Sequence, residues 1–189
     1  MTHAQVQVEA ESPAELLTHS YEYAYEHGWT DGLPIIPATP ESVQRFVAAS
    51  GRPADELIGL LPPRKGRATI EAIAVNAIMA GCRAEYMPVI IAALEGMTDP
   101  AYPLELMQVT TNPMTPFLLV NGPARKTLEI NYGAGCLGPG WRANATIGRT
   151  IRLIMNNIGG ALPGVYSKVS FGSPLRYSYL CGENEEENP

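Results

Sequence analysis

The chain has 189 residues, 46% of them hydrophobic and 17% charged, a length that favours one globular domain with a sizeable core. Glycine (18) and proline (17) make close to a fifth of it, against roughly 12% in an average protein. The glycines have no period and apolar runs are plentiful, which excludes collagen-like and disordered chains. No apolar run reaches the ~20 residues of a bilayer span. The start, MTHAQVQVEAE, lacks the basic lead and apolar stretch of a signal peptide. A cytoplasmic protein with no membrane partner is the expectation.

The net charge of −6 is unevenly spread. Residues 1–41 hold seven acids and no Lys or Arg, and residues 130–182 hold no acid but five bases, namely Arg142, Arg149, Arg152, Lys168 and Arg176. Such a stretch makes a local positive site, or else its bases pair with the acidic N-terminal segment or a partner chain. Five dispersed bases form no extended stripe, so nucleic acid is not an expected partner. Cys82, Cys136 and Cys181 make no CxxC, and His3, His19 and His27 have no ligand-like spacing; no protein-built metal site is expected. Nothing names a cofactor.

In chain order, residues 12–28 read as a helix with Ser12 as N-cap, Pro13 at N1 and Glu15 closing a capping box. WTDGLPIIPATP must be irregular, because Asp31-Gly32 is a turn signal and Pro34 and Pro37 exclude a regular helix. Thr39 opens a second helix that runs to Gly51. Residues 56–63 suggest a short strand, and helices are predicted over 69–82 and 84–97, with Pro88 in the first turn of the latter. Two β-rich runs, 106–112 and 116–122, are followed by a helical turn at 123–127 and an extended piece at 128–132. A glycine-rich stretch (133–140) precedes an amphipathic helix over 143–158, and 176–181 suggests a final strand. Helices and short strands interleave between long Gly/Pro-rich loops, which predicts a single compact α/β domain over 1–189, with a flexible lead (1–11) and an acidic tail (183–189).

Four places carry candidate chemistry. Gly133-Ala-Gly135-Cys-Leu-Gly138 is a literal GxGxxG, but no acid follows before Glu183 to bind a ribose, and Pro139 comes directly after it. Such a loop, with Gly138 and Gly140, suits a smaller anion or a tight turn better than a dinucleotide. The next helix places Arg142, Arg149 and Arg152 on one face and Ile147, Ile151 and Ile154 on the other. The apolar face is expected to dock on a sheet, leaving a column of guanidiniums for a carboxylate or phosphate, or for ion pairs with distant acids. The turns at Asn112-Pro113 and Asn121-Gly122-Pro123 close the β-rich runs, where ligands of α/β proteins lie, although turn formation alone also explains them. Cys82, beside Arg83 and before a helix start, is either a reactive thiol or a small buried hydrophobe, and Cys136 in the glycine loop offers a second thiol.

Asp31-Gly-Leu-Pro, Val75-Asn-Ala, Met79-Ala-Gly-Cys82, Thr111-Asn-Pro113, Val120-Asn-Gly-Pro123, and Gly138-Pro-Gly140 with Arg142-Ala-Asn-Ala-Thr-Ile-Gly-Arg149 resemble one poorly characterised group of bacterial proteins. Its members are often encoded beside, or joined to, small proteins with a selenocysteine- or cysteine-Gly-Ser-Cys motif. The resemblance runs from about residue 28 to residue 188; Ala134-Gly135-Cys136 stands outside it. It implies thiol or selenol chemistry in a partner subunit, with this chain shaping a substrate pocket, and a continuation beyond the glutamate-rich segment in a longer or split unit. It favours Asp31, Asn112, Asn121, Arg142, Asn144 and Arg149 as site residues.

Together these features predict an enzyme, or the pocket-bearing subunit of one, acting on a small anionic organic substrate. Arg142 and Arg149 would fix the anion, Asn112, Asn121, Asn144 and the Gly138–Gly140 backbone would orient it, and Cys82 or Asp31 would react or transfer a proton. Redox, elimination or hydration, and hydrolysis remain open. The other class is a non-catalytic binding or assembly subunit of a homo- or hetero-oligomer, using the acidic first helix, with Tyr21, Tyr23 and Tyr25, and the tail as surfaces.

Overall fold

Hydroxyl side chains start the first three helices. Ser12, Thr39 and Thr69 each accept the N–H of the residue three positions on, opening α1 (Pro13–Glu26), α2 (Pro40–Ser50) and α3 (Ile70–Ala80). Glu15 reaches the N–H of Glu11 at 3.0 Å rather than that of Ser12, so the box closes one residue early. Gly51 and Gly81 end α2 and α3 at φ 68° and 89°, a region L side chains avoid. The structure, a computed structural model, describes residues 6–187. His3 and the outer parts of the lead and the tail lie outside the described residues.

Two small sheets alternate with the helices, and the whole forms one compact mixed α/β domain. Strand β1 (Leu57–Leu61) pairs antiparallel with β2 (Gly66–Thr69). The sequence hides β2, because Gly-Arg-Ala-Thr has neither alternation nor β-rich side chains. A single 3-10 turn at Ala84–Tyr86 leads into α4 (Met87–Thr98). The expected strand at 106–112 is instead α5 (Leu104–Val109). Its buried residues, Leu104, Met107 and Gln108, stand at the i, i+3, i+4 spacing of a helix face, and that spacing outweighs the β-branched Val-Thr-Thr after it. Strand β3 (Leu118–Val120) runs parallel to β4 (Leu180–Gly182), with the short α6 (Ala124–Thr127) between. Residues 128–132 form no strand, though Ile130 is buried.

Helix α7 (Arg142–Asn157) organises the core. It packs chiefly on α3, with α4 and β4 beside it, so its apolar face meets helices first and the expected sheet only along the edge formed by β4. Ile147, Ile151 and Ile154 interlock with Ile73, Ala74 and Ala77 of α3 and Ile90 and Leu94 of α4, all buried in one cluster. The alanines let the helices approach closely. Among the described residues no helix is long and apolar enough to cross a membrane.

The acidic tail folds back onto the domain. Glu183 N–H donates to Val120 O at 2.8 Å, and Glu185 and Glu186 take the buried Arg125 at 2.8 and 3.0 Å. The hydrogen bonds of Arg125 and then Lys126 hold the Glu186 carboxyl down to about 2 from an ordinary 4.5. Its grip is therefore complete above about pH 4.5 and fades as pH falls from there toward 2. The Arg125 Nη–H protons that Glu186 accepts should shift in the NMR spectrum over that window, and Glu186→Gln should show the weakened state at neutral pH.

Close packing at Gly148 gives a second expectation. A Cβ there would strike Ser178 Oγ and lie 2.9 Å from Tyr179 N and 3.0 Å from Ser178 Cα. Helix propensity favours Ala over Gly by about 1 kcal/mol, whereas overpacking costs about 1–3 kcal/mol. Two of the struck atoms are backbone, so the clash should win and Gly148→Ala should lower the thermal midpoint by circular dichroism.

Candidate functional site

The three guanidiniums of α7 serve three different partners. Arg142 donates from Nε to Gly81 O at 3.0 Å and from Nη2 to Cys82 O at 3.3 Å, which places a cation on the open carbonyls ending α3. Arg149 grips Asp31 in a two-pronged pair, Nε to Oδ2 and Nη2 to Oδ1, each 2.8 Å. It also donates to the carbonyls of Leu33 and Pro34 at 3.2 and 2.9 Å. The Asp31 side chain is only 3% exposed, and its Oδ1 also accepts the Leu33 N–H. Of the two readings of the charge segregation, Arg149 follows the one in which a base pairs with the acidic N-terminal segment.

Arg152 has a different situation. It is 6% exposed and donates to Arg176 O at 2.9 Å and Thr115 Oγ1 at 3.3 Å. Among the described residues no carboxylate hydrogen-bonds it. Burial, followed by the charge of Arg176, pushes its guanidinium down to about 10, against a weaker pull from Asp31. Arg176, which donates to Ser167 Oγ at 3.2 Å, is likewise pushed down by burial. The two arginines, Thr115, Gly148 and Tyr179 line a narrow, partly enclosed crevice whose interior, about 10 Å³, admits little more than a water molecule. Beneath it, Gln108 donates to Met155 Sδ while its Oε1 is buried without a partner among the described residues.

The remaining expected site residues are distributed. Asn144 is buried and joins three segments: Oδ1 accepts Asn131 N–H at 2.8 Å, and Nδ2 donates to the carbonyls of Asn131, Cys136 and Leu180. Gly138 N–H is taken by Gly135 O within the exposed loop, and Gly140 sits at φ 119°. Asn112 closes its own turn on Thr110 Oγ1, and Asn121 is exposed just past β3. Cys82 lies in the core with Sγ 3.1 Å from Thr150 Oγ1. Burial pushes its thiol up despite hydrogen bonds from Thr146 and Thr150 and the charges of Arg142 and Arg149, so it stays protonated at neutral pH.

Asp31 and Arg149 thus meet directly, and Arg142 meets the backbone of Cys82, while Asn112 and Asn121 occupy separate loops. Sequence reasoning passed over Thr115 and the pairing of Arg176 with Arg152, which irregular chain brings together with no periodic signal. The acid-free stretch 130–182, holding both arginines, is the one signal that marks them. No family model, curated protein or solved structure matches the chain.

The Asp31–Arg149 pair is buried on the acid's side, so breaking it leaves an uncompensated charge. Asp31→Asn should lower the unfolding free energy by about 3 kcal/mol, measured by urea denaturation. Adding Arg149→Met should recover part of that loss, since no charge is then stranded.

Proposed function

We propose that this chain binds a small organic anion through Arg152 and Arg176, as an enzyme or the pocket-bearing subunit of one. The observation that carries this reading is a buried guanidinium that no carboxylate among the described residues hydrogen-bonds, beside a second arginine. Burying such an ion costs several kcal/mol, and a like charge nearby adds to the cost. An entering carboxylate or phosphoryl group offsets both, and a planar guanidinium suits its paired oxygens. The crevice is narrow, so the oxyanion group would seat at its mouth against Arg152 and Arg176, with the rest of the substrate toward Pro116, Leu175 and the Tyr179 ring. Arginines held in a dry cleft also stabilise charge that develops on a reacting oxygen.

Arg142, Arg149 and Asn144 support this cleft by fixing α7 and its loops, and in this reading they do not touch substrate. The core position of Cys82 and the ion pair of Asp31 leave the reacting group to a partner, as the family resemblance implies for a thiol or selenol. A binding or assembly role is the second reading. It is favoured by exposed apolar side chains on one stretch of chain, Phe117 and Leu119, and by the fully exposed Phe171. The tyrosines of α1 support it less: Tyr21 donates to Gly32 O, and Tyr23 stacks on His27 at 3.9 Å.

Calorimetric titration with phosphate, acetate and malonate tests the anion site. Wild type should bind at least one of them, and Arg152→Gln or Arg176→Gln should weaken it by about tenfold or more. Binding needs the charged guanidinium, so affinity should hold below about pH 10 and fall about tenfold per unit above it. Equal affinity in wild type and Arg152→Gln would sink the reading.

A further inference from the structure

Two cysteines far apart in sequence are drawn together by one buried amide. Cys136 lies in the glycine-rich loop and Cys181 in the middle of β4. Asn144 Nδ2 donates to Cys136 O at 3.0 Å and to Leu180 O at 3.4 Å, so the loop and the strand share one anchor. Gly182 N–H donates to Asn131 O at 3.0 Å, and Asn131 Nδ2 to Ala134 O at 3.0 Å. The base of the loop is thereby latched to β4 on both sides of the pair. That shared anchoring brings the Cys136 and Cys181 side chains within range to influence each other, and both thiols are free.

We propose that Cys136 and Cys181 form a reversible dithiol–disulfide switch, oxidised by a low-molecular-weight disulfide. The anion-cleft reading is not needed for it. Cys136 is the more exposed of the two, whereas Cys181 is buried, so an incoming disulfide meets Cys136 first. Burial, and then the neighbouring Cys136, push the Cys181 thiol up, which suits the resolving partner and not the attacking one. A shared metal ion is the other use of paired thiols, but among the described residues no group of three or more His, Cys, Asp or Glu side chains is placed to hold one.

The exchange balances in two steps. The Cys136 thiolate attacks one sulfur of the small disulfide, forming a mixed disulfide and releasing one small thiolate, which takes up a proton. Cys181 then gives up its proton, and its sulfur attacks the Cys136 sulfur and releases the second small thiol. The protein loses two hydrogens and two electrons, and the small disulfide gains them. The product ties the loop covalently to β4, two residues beyond Tyr179 of the cleft, and so restricts the glycine-rich loop that leads into α7.

The test incubates the folded full chain with oxidised glutathione, blocks the remaining thiols by alkylation in denaturant, and maps the digest by mass spectrometry. Wild type should keep one alkylated cysteine of its three, Cys82, and yield a Cys136–Cys181 linked peptide that dithiothreitol separates. Cys181→Ser should accumulate glutathione on Cys136, and Cys136→Ser should react at neither remaining site. Circular dichroism confirms that each variant is folded, and the thiol count of wild type needs no variant. Three alkylated thiols in folded wild type, or a link that involves Cys82 or a second chain, would overturn the proposal. Glutathione on Cys181 of the Cys136→Ser chain would overturn the order of attack.

Discussion

Helix α7 is buried on almost every side, yet it carries Asn144, Thr150, Arg152 and Asn156 among its buried residues. A buried donor without a partner costs about 1–3 kcal/mol, more when charged; Thr150 finds its acceptor within the helix at Thr146 O, and most other polar side chains of α7 reach acceptors outside it. The partners are overwhelmingly backbone carbonyls of irregular chain. Arg142 takes Gly81 and Cys82, Arg149 takes Leu33 and Pro34, Asn144 takes Asn131 and Cys136, Arg152 takes Arg176, and Asn157 takes Trp29. Proline- and glycine-rich segments form few ladders and leave carbonyls unpaired. In this fold one helix's donors and the loops' acceptors satisfy each other.

That exchange accounts for two oddities of composition at once. The Gly/Pro-rich loops stay ordered without regular structure because α7 supplies their missing hydrogen-bond donors. The stretch 130–182 tolerates five bases without an acid because carbonyls and hydroxyls, not carboxylates, accept most of what its arginines donate. Arg149 departs from this pattern in adding Asp31, an acid more than a hundred residues away in sequence. The pair fastens the Asp31–Pro34 turn to the helix.

Much of the fold was legible because its signals are local. Ser12, Thr39 and Thr69 mark helix starts by the hydroxyl each offers, and the Ile147/Ile151/Ile154 spacing marks the buried face of α7. Where reading failed, tertiary packing overrode a local preference: α5 is helical because Leu104, Met107 and Gln108 reach the interior together, and β2 exists because β1 lies beside it. The amphipathic pattern of α7 is sound, but amphipathicity shows only which residues differ, not that water lies on the polar side. Loop carbonyls and Asp31 lie along part of that side, so Arg142 and Arg149 give their donors to the protein's own acceptors, although Arg142 stays exposed.

The same reasoning separates the arginine that is left over. At Arg142 and Arg149 the guanidinium charge is met by helix-end carbonyls or by a carboxylate, and both sit nearer the surface than Arg152. Arg152 has a carbonyl and a hydroxyl for its hydrogen bonds but no carboxylate bonded to it, with a second arginine close by and its pKa depressed by burial. Hydrogen bonds to neutral acceptors remove part of a desolvation penalty of several kcal/mol per ion, and only a nearby opposite charge removes most of it. Asp31, the one acid acting on Arg152, already has both oxygens on Arg149. Solvent access through the cleft mouth lowers the penalty further but does not cancel the repulsion from Arg176. The charge imbalance therefore sits where α7 borders the cleft, and in the proposed reading a small anion balances it.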